Sequence, residues 1–136
     1  MVKKEEKKQE KVEKKPTAKS PFILALIGGI FSVLFGLLIS TLYFKVSELM
    51  TTSPQLFNMT AEEIVGIPQA LHIIGLAALG IFALFGVLEL ISAFWLKKER
   101  TMKRGGIMAL IVGILSLNIF VIIAGALGLA FRPKKK

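Results

Sequence analysis

The sequence predicts an all-α fold, an integral membrane helical bundle with two full spans and a C-terminal helical hairpin. More than half of its 136 residues are apolar and a fifth are charged, and the two kinds are segregated along the chain. The stretch 21–44 has no charged residue, 70–96 has one, and 105–131 has none. A helix needs about 20 apolar residues to cross a hydrocarbon core of roughly 30 Å, and the first two stretches exceed that length.

The tail at 1–20 carries eight lysines and four glutamates and almost no apolar residue. It cannot bury enough surface to fold, so we expect a disordered cytoplasmic tail. Its positive charge would attract anionic lipid head groups beside a membrane. The interleaved glutamates weaken that attraction, and the simpler interpretation is a tail that keeps the chain oriented. The tail lacks the aromatic side chains that stack on bases, so we expect no nucleic-acid partner.

The chain from 21 to 136 is interpreted as a single transmembrane helical domain. The stretch 21–44 begins after a charged tail and is longer than the apolar region of a secretory signal, so we interpret it as a spanning helix. The stretch 70–96 is the second span. An alternative with three spans, in which 105–131 crosses once, stays open from the residues alone.

The segment 45–69 between the two spans is too short to form a domain. Thr60 and Glu63 form a capping-box pattern, which predicts one or two helical turns beginning at Thr60. Asn58 begins an Asn-Met-Thr triplet, a possible glycosylation site of low specificity.

Basic residues indicate the orientation. Of eighteen Lys and Arg residues, one lies in 45–69, whereas eight lie in the tail and five in the loop 97–104. Because short basic flanks stay on the cytoplasmic side, we expect the N-terminus and the loop 97–104 inside and 45–69 outside. The predicted location is the cell membrane, with several crossings.

The stretch 105–131 either crosses once or enters and returns. A hairpin of helices 105–117 and 119–131 would keep the four basic residues of the C-terminal end inside. It would also place Asn118 in a turn, where Asn tolerates left-handed geometry. Helix length argues the other way, since each arm would be only about 20 Å long.

Small residues recur along single faces of the predicted helices. In lipid, helices associate through close packing, and small residues three or four positions apart allow their backbones to approach. Packing within one chain is the favoured interpretation, and a homodimer face is the alternative. The residues concerned are Gly28, Ser32, Gly36 and Ser40 in the first span and Gly106, Ala109, Gly113 and Ser116 in the third stretch.

Three glycine-rich runs carry a resemblance: ALIGGIFSVLFGLL at 25–38, GGIMALIVGILSL at 105–117 and AGALGLAFRPKKK at 124–136. They resemble a family of small, uncharacterised bacterial and archaeal membrane proteins with four predicted spans and a lysine-rich C-terminal end. The resemblance implies four segments with both termini inside, which favours the hairpin. The family has a longer apolar run between its last two spans, so this chain departs from the pattern there. The resemblance implies no activity.

Glu89 is the residue in the spans that most suggests a function. A carboxylate in a membrane helix is costly to insert and marks a candidate proton or ion site. The alternative is that Glu89 hydrogen-bonds a neighbouring Ser or Asn and fixes helix packing. The chain has no cysteine, and its residues match no catalytic, cofactor-binding or metal-binding motif, so we expect no enzymatic activity, no cofactor and no metal.

These observations predict a non-enzymatic membrane protein, an accessory or scaffolding component of a homo-oligomer or a larger membrane assembly. Its expected partners are the lipid bilayer and another membrane protein or a second copy of itself. The alternative is a small oligomeric proton- or cation-coupled transporter or channel that uses Glu89.

Overall fold

The computed structural model describes residues 19–131, and that part of the chain is helical and contains no strand. The predicted all-α class and the four helices are confirmed. The predictions for residues 1–18 of the tail and for the basic residues at 132–136 lie outside the described residues. The helices are α1 (Lys19–Thr52), α2 (Ile67–Lys97), α3 (Met102–Ser116) and α4 (Ile119–Ala130), with a short 3-10 helix at Pro54–Phe57.

The two long helices pack along each other in antiparallel directions. With 34 and 31 residues, they extend about 50 and 46 Å. Both are long and apolar enough to cross a membrane by length and composition. Glycines bring the backbones together: a Cβ on Gly86 would lie 3.0 Å from the carbonyl oxygen of Gly29. This close approach brings the first half of α1 against the second half of α2.

The helices α3 and α4 form an antiparallel hairpin. Leu117 ends α3 in the left-handed conformation, with φ of 53°. The N–H of Leu117 bonds to the carbonyl of Ile114, and the N–H of Asn118 bonds to the carbonyl of Gly113 over 2.9 Å. This is the Schellman arrangement that commonly ends a helix.

The turn lies at Leu117 and Asn118, as the hairpin prediction places it, but Asn118 is not the left-handed residue. That conformation falls on Leu117, and Asn118 is extended, with φ of −93° and ψ of 100°. The physical reason is that the Asn118 side chain points into the bundle and bonds to α1. Its extended backbone leads the chain into α4, whose N-cap is Asn118.

The hairpin reaches only part of the way along the two long helices. Its arms have 15 and 12 residues, or about 22 and 18 Å. Asn118 contacts Gly28 and Ser32, and Ser32 lies at the centre of the apolar stretch 21–44. The tip of the hairpin therefore lies level with the middle of the first apolar stretch.

The loop between α1 and α2 is shorter than the predicted segment 45–69, because α1 continues to Thr52 and α2 begins at Ile67. The capping-box bonds form, and the N–H of Thr60 donates to Oε2 of Glu63 over 2.8 Å. This bond and the bond from the Thr60 hydroxyl hold the pKa of Glu63 below its usual range. Residues 61–66 form consecutive turns, and the N–H of Ile64 bonds to the carbonyl of Thr60 as in one helical turn, but no continuous helix forms there. The short helix of the loop is Pro54–Phe57. Gly66, with φ of 88°, separates these turns from the start of α2.

Candidate functional site

The candidate site is a polar cluster at the tip of the hairpin, centred on Glu89 of α2. The Glu89 side chain is fully buried. The hydroxyl of Ser32 on α1 donates to Oε2 over 2.7 Å, and the hydroxyl of Ser116 on α3 donates to Oε1 over 2.6 Å. The amide of Asn118 lies 3.3 Å from Oε2. We call these four residues the Glu89 cluster.

Asn118 also connects the cluster to the backbone of α1. Its Nδ2 donates to the carbonyl oxygen of Gly28 over 2.9 Å and lies 3.1 Å from the hydroxyl oxygen of Ser32. One side chain at the tip thus contacts α1 and α2 together. The cluster joins α1, α2, α3 and the residue that leads into α4.

Small residues on α2 allow this arrangement. Gly86, Ser92 and Ala93 lie on the buried face of α2 near Glu89. The Ser92 hydroxyl donates to the main-chain carbonyl of Glu89 over 2.7 Å, so it contacts the backbone and leaves the carboxyl group to other helices. Because Gly86, Ser92 and Ala93 are small, α1 and the hairpin approach closely enough to bond both oxygens of Glu89.

The donors around Glu89 are uncharged. Within residues 19–131 the salt bridge that forms is Lys45 with Glu48, at 2.7 Å on the surface of α1. Glu89 therefore has no cationic partner in the described part of the chain. The short O–H···O distances are typical of hydroxyl groups that donate to a carboxylate. Chemically, the cluster can hold a carboxyl group, join helices, or serve as the acidic wall of a cation site.

The small residues singled out in the sequence lie at helix contacts. A Cβ on Gly28 would collide with Val121 of α4, and one on Gly36 would lie 2.6 Å from Cβ of Phe82. A Cβ on Gly113 would lie 2.9 Å from the backbone nitrogen of Ile122.

Ser40 is buried, and its hydroxyl has no hydrogen-bond partner within residues 19–131. Ala109 and Gly106 are buried as well.

A groove of about 510 Å³ opens beside the cluster. Three of its lining residues are Ser32, Ser116 and Asn118, which also bond to Glu89. The remaining lining residues are apolar: Phe31, Phe35, Phe82, Leu117, Ile119 and Phe120.

Two other polar residues lie far from the cluster. Asn58, in the predicted glycosylation triplet, is exposed and left-handed, with φ of 53° at the end of Pro54–Phe57. His72, near the start of α2, has its Nδ1 3.0 Å from the Ser47 hydroxyl and stacks on Phe44. In the described part of the chain, no three His, Cys, Asp or Glu residues come together as a metal site.

The fold and the site define an all-helical bundle with two candidate membrane-spanning helices and the buried Glu89 cluster. The chain belongs to the family described as protein of unknown function, DUF4064, which matches residues 17–119. The match covers α1, α2, α3 and all four residues of the Glu89 cluster. No curated protein and no solved structure matches the chain.

Proposed function

We propose that this protein is a non-enzymatic, multi-pass membrane protein that acts as an accessory or scaffolding component of a homo-oligomer or a larger membrane assembly. The observation that carries the proposal is the distribution of side chains. The interior of the bundle contains many small and polar residues beside a few larger ones such as Leu96 and Met102, whereas many large apolar residues lie on its outside. Exposure of such a large apolar surface to water is unfavourable, whereas in a bilayer the same surface contacts lipid or a partner helix. Outward-facing examples are Leu34, Leu38, Leu76 and Leu84.

The exposure of the long helices supports membrane insertion. In the most apolar window of each helix, 28% of the residues of α1 and 11% of those of α2 are buried inside the fold. A core helix of a water-soluble protein would be mostly buried instead. Most residues in these windows are therefore at least partly exposed, as in helices that face lipid.

The hairpin then enters the bilayer and returns without crossing it. Its tip lies level with the centre of the apolar stretch 21–44, and its arms are shorter than the roughly 30 Å hydrocarbon core. The bonds at Leu117 and Asn118 satisfy the backbone at the turn, as burial in lipid requires. In this arrangement the basic loop 97–104 and the C-terminus both lie on the cytoplasmic side.

The geometry of Glu89 supports a structural role for this residue. Its oxygens accept hydrogen bonds from Ser32, Ser116 and Asn118, which belong to three different parts of the fold. Such a buried, fully bonded network fixes how helices are arranged. A rigid bundle with a wide apolar surface suits a scaffolding role.

A transporter built around Glu89 is the second candidate, favoured by the groove beside the cluster. Purified protein in liposomes would be tested for proton and cation flux, with Glu89→Gln as the comparison. Flux that is lost in this variant while the fold is kept would establish transport and displace the scaffolding proposal.

The scaffolding proposal is tested by the assembly state of the full chain. Tagged protein is purified in a mild non-ionic detergent and measured by native mass spectrometry. We expect a fixed stoichiometry with a second copy or another membrane protein. Because the chain has no cysteine, single cysteines at Leu34, Leu38, Leu76 and Leu84 can map the contact face by cross-linking. A monomer that cross-links from none of these positions would contradict the proposal.

A further inference from the structure

The groove beside the Glu89 cluster has aromatic walls. Phe31 stacks on Phe120 with ring centroids 5.8 Å apart, and Phe35 meets Phe82 edge to face at 5.5 Å. Phe31, Phe35 and Phe120 are each about half exposed. The groove exists because the hairpin ends partway along α1 and α2, which leaves space beyond its tip.

The floor of the groove is polar and lies directly against Glu89. Ser32 and Ser116 line the groove, and their hydroxyls donate to the two carboxyl oxygens of Glu89. Glu89 therefore lies one side chain behind the floor. A ligand on this floor would contact Ser32, Ser116 and Asn118, with the Glu89 carboxyl group immediately behind them.

Charge complementarity indicates which ligand would fit. Glu89 is bonded by neutral groups and has no cationic partner within residues 19–131. Neutral donors add no charge of their own, so a cation in the groove would be the first positive charge close to this carboxyl group, and opposite charges attract more strongly in an apolar interior than in water. The faces of phenylalanine rings also attract cations.

We propose that this groove binds an organic cation with a bulky apolar body. The body lies between the phenylalanine pairs, and the positive charge lies against Ser32 and Ser116, next to Glu89. A lipid chain would fill the apolar walls without using the carboxylate, and an organic anion would be repelled by it. This inference goes beyond the scaffolding role and concerns the isolated chain, so its test does not depend on assembly.

The test compares two probes of the same shape and opposite charge. Binding of tetraphenylphosphonium and tetraphenylborate to the purified full chain is measured by equilibrium dialysis in a non-ionic detergent, with a protein-free detergent control. We expect saturable binding of the phosphonium, with an affinity at least about tenfold above that of the borate. Equal binding of both probes, or no saturable binding of the phosphonium, would overturn the proposal.

Variants locate the binding site. Glu89→Gln should lower the affinity for the phosphonium at least about tenfold, whereas Glu99→Gln, which removes a carboxylate from the exposed loop after α2, should leave it unchanged. Phe35→Ala removes a half-exposed wall residue and should weaken binding at least about threefold. Phe35→Ala keeps the proposal open to refutation if Glu89→Gln does not fold. Unchanged binding in either folded groove variant would show that the cation binds elsewhere.

Discussion

The side-chain amide of Asn118 donates a 2.9 Å hydrogen bond to the main-chain carbonyl of Gly28, ninety positions earlier in the chain. This bond attaches the tip of the hairpin to the middle of the apolar stretch of α1. It needs Asn at the tip and Gly on α1, because a Cβ at Gly28 would lie 3.2 Å from the Asn118 amide and would collide with Val121. This bond acts together with the Ser116 bond to Glu89 to hold the tip of the hairpin against α1 and α2.

Asn118→Ala should loosen the hairpin. The substitution removes the bond to Gly28 and the amide contacts with Ser32 and Glu89, and we expect a loss of about 1 to 2 kcal/mol of stability. The measurement is thermal unfolding of the purified protein in detergent. Gln69→Ala, which removes an amide from an exposed position at the start of α2, is the control and should leave the Tm unchanged. Equal Tm values for Asn118→Ala and the wild type would show that the contact does not stabilise the bundle.

The sequence predicted the helices better than the site. Two apolar stretches are long enough to indicate α1 and α2, and the charge of the C-terminal end together with Asn118 favoured a break in the third. The partners of Glu89 could not be identified in this way. Ser32, Ser116 and Asn118 are 57, 27 and 29 positions away from it, and which residues meet depends on how far each helix is rotated and where the hairpin stops.

Individual residues also show where local preference fails. Asn is a better left-handed residue than Leu, yet Leu117 has that conformation because the Asn118 side chain is held inside the bundle. Ser32 and Ser116 fit a pattern of small packing residues, and their spacing alone does not reveal their bonds to Glu89. The groove forms because the hairpin ends partway along α1 and α2, and no sequence motif indicates where the hairpin ends.

Two glycines on the long helices should respond oppositely to a methyl group. In Gly36→Ala the new Cβ would lie 2.6 Å from Cβ of Phe82, an atom fixed to the backbone of α2, so the helices must separate. We expect a loss of about 1 to 3 kcal/mol. Gly80 has nothing within 4 Å of its added Cβ, so Gly80→Ala should keep or raise stability by up to about 1 kcal/mol.

Both variants are compared with the wild type by thermal unfolding in the same detergent. A Gly36→Ala protein as stable as Gly80→Ala would mean that α1 and α2 are not in close contact at this level. A lower Tm for Gly36→Ala than for Gly80→Ala would support packing of the small residues of α1 against α2 within one chain.

Leu117→Gly should stabilise the hairpin. Leu117 has φ of 53° and its side chain is 84% exposed, so glycine would relieve an unfavourable conformation and lose little packing. We expect a gain of about 1 kcal/mol. Leu115→Gly is the matched control, because Leu115 is also exposed but lies within α3, where glycine should cost about 1 kcal/mol. A lower Tm for both variants would show that the left-handed turn at Leu117 does not form.

The last prediction concerns the path of the hairpin through the membrane, and it uses single cysteines in a chain that has none. Leu56 and Leu117 are both largely exposed on the protein, at 72% and 84%. If the hairpin enters from the cytoplasmic side and returns, Leu117 faces lipid and Leu56 faces the outside. In intact cells, an impermeant thiol reagent should therefore label a cysteine at Leu56 and none at Leu117. Cysteines at Lys97 and Lys135 should be labelled only after the membrane is opened, and the one at Leu117 only after the protein is denatured. Labelling at Lys135 in intact cells while Lys97 stays protected would establish a single crossing, and labelling at Leu117 there would place the tip outside the membrane.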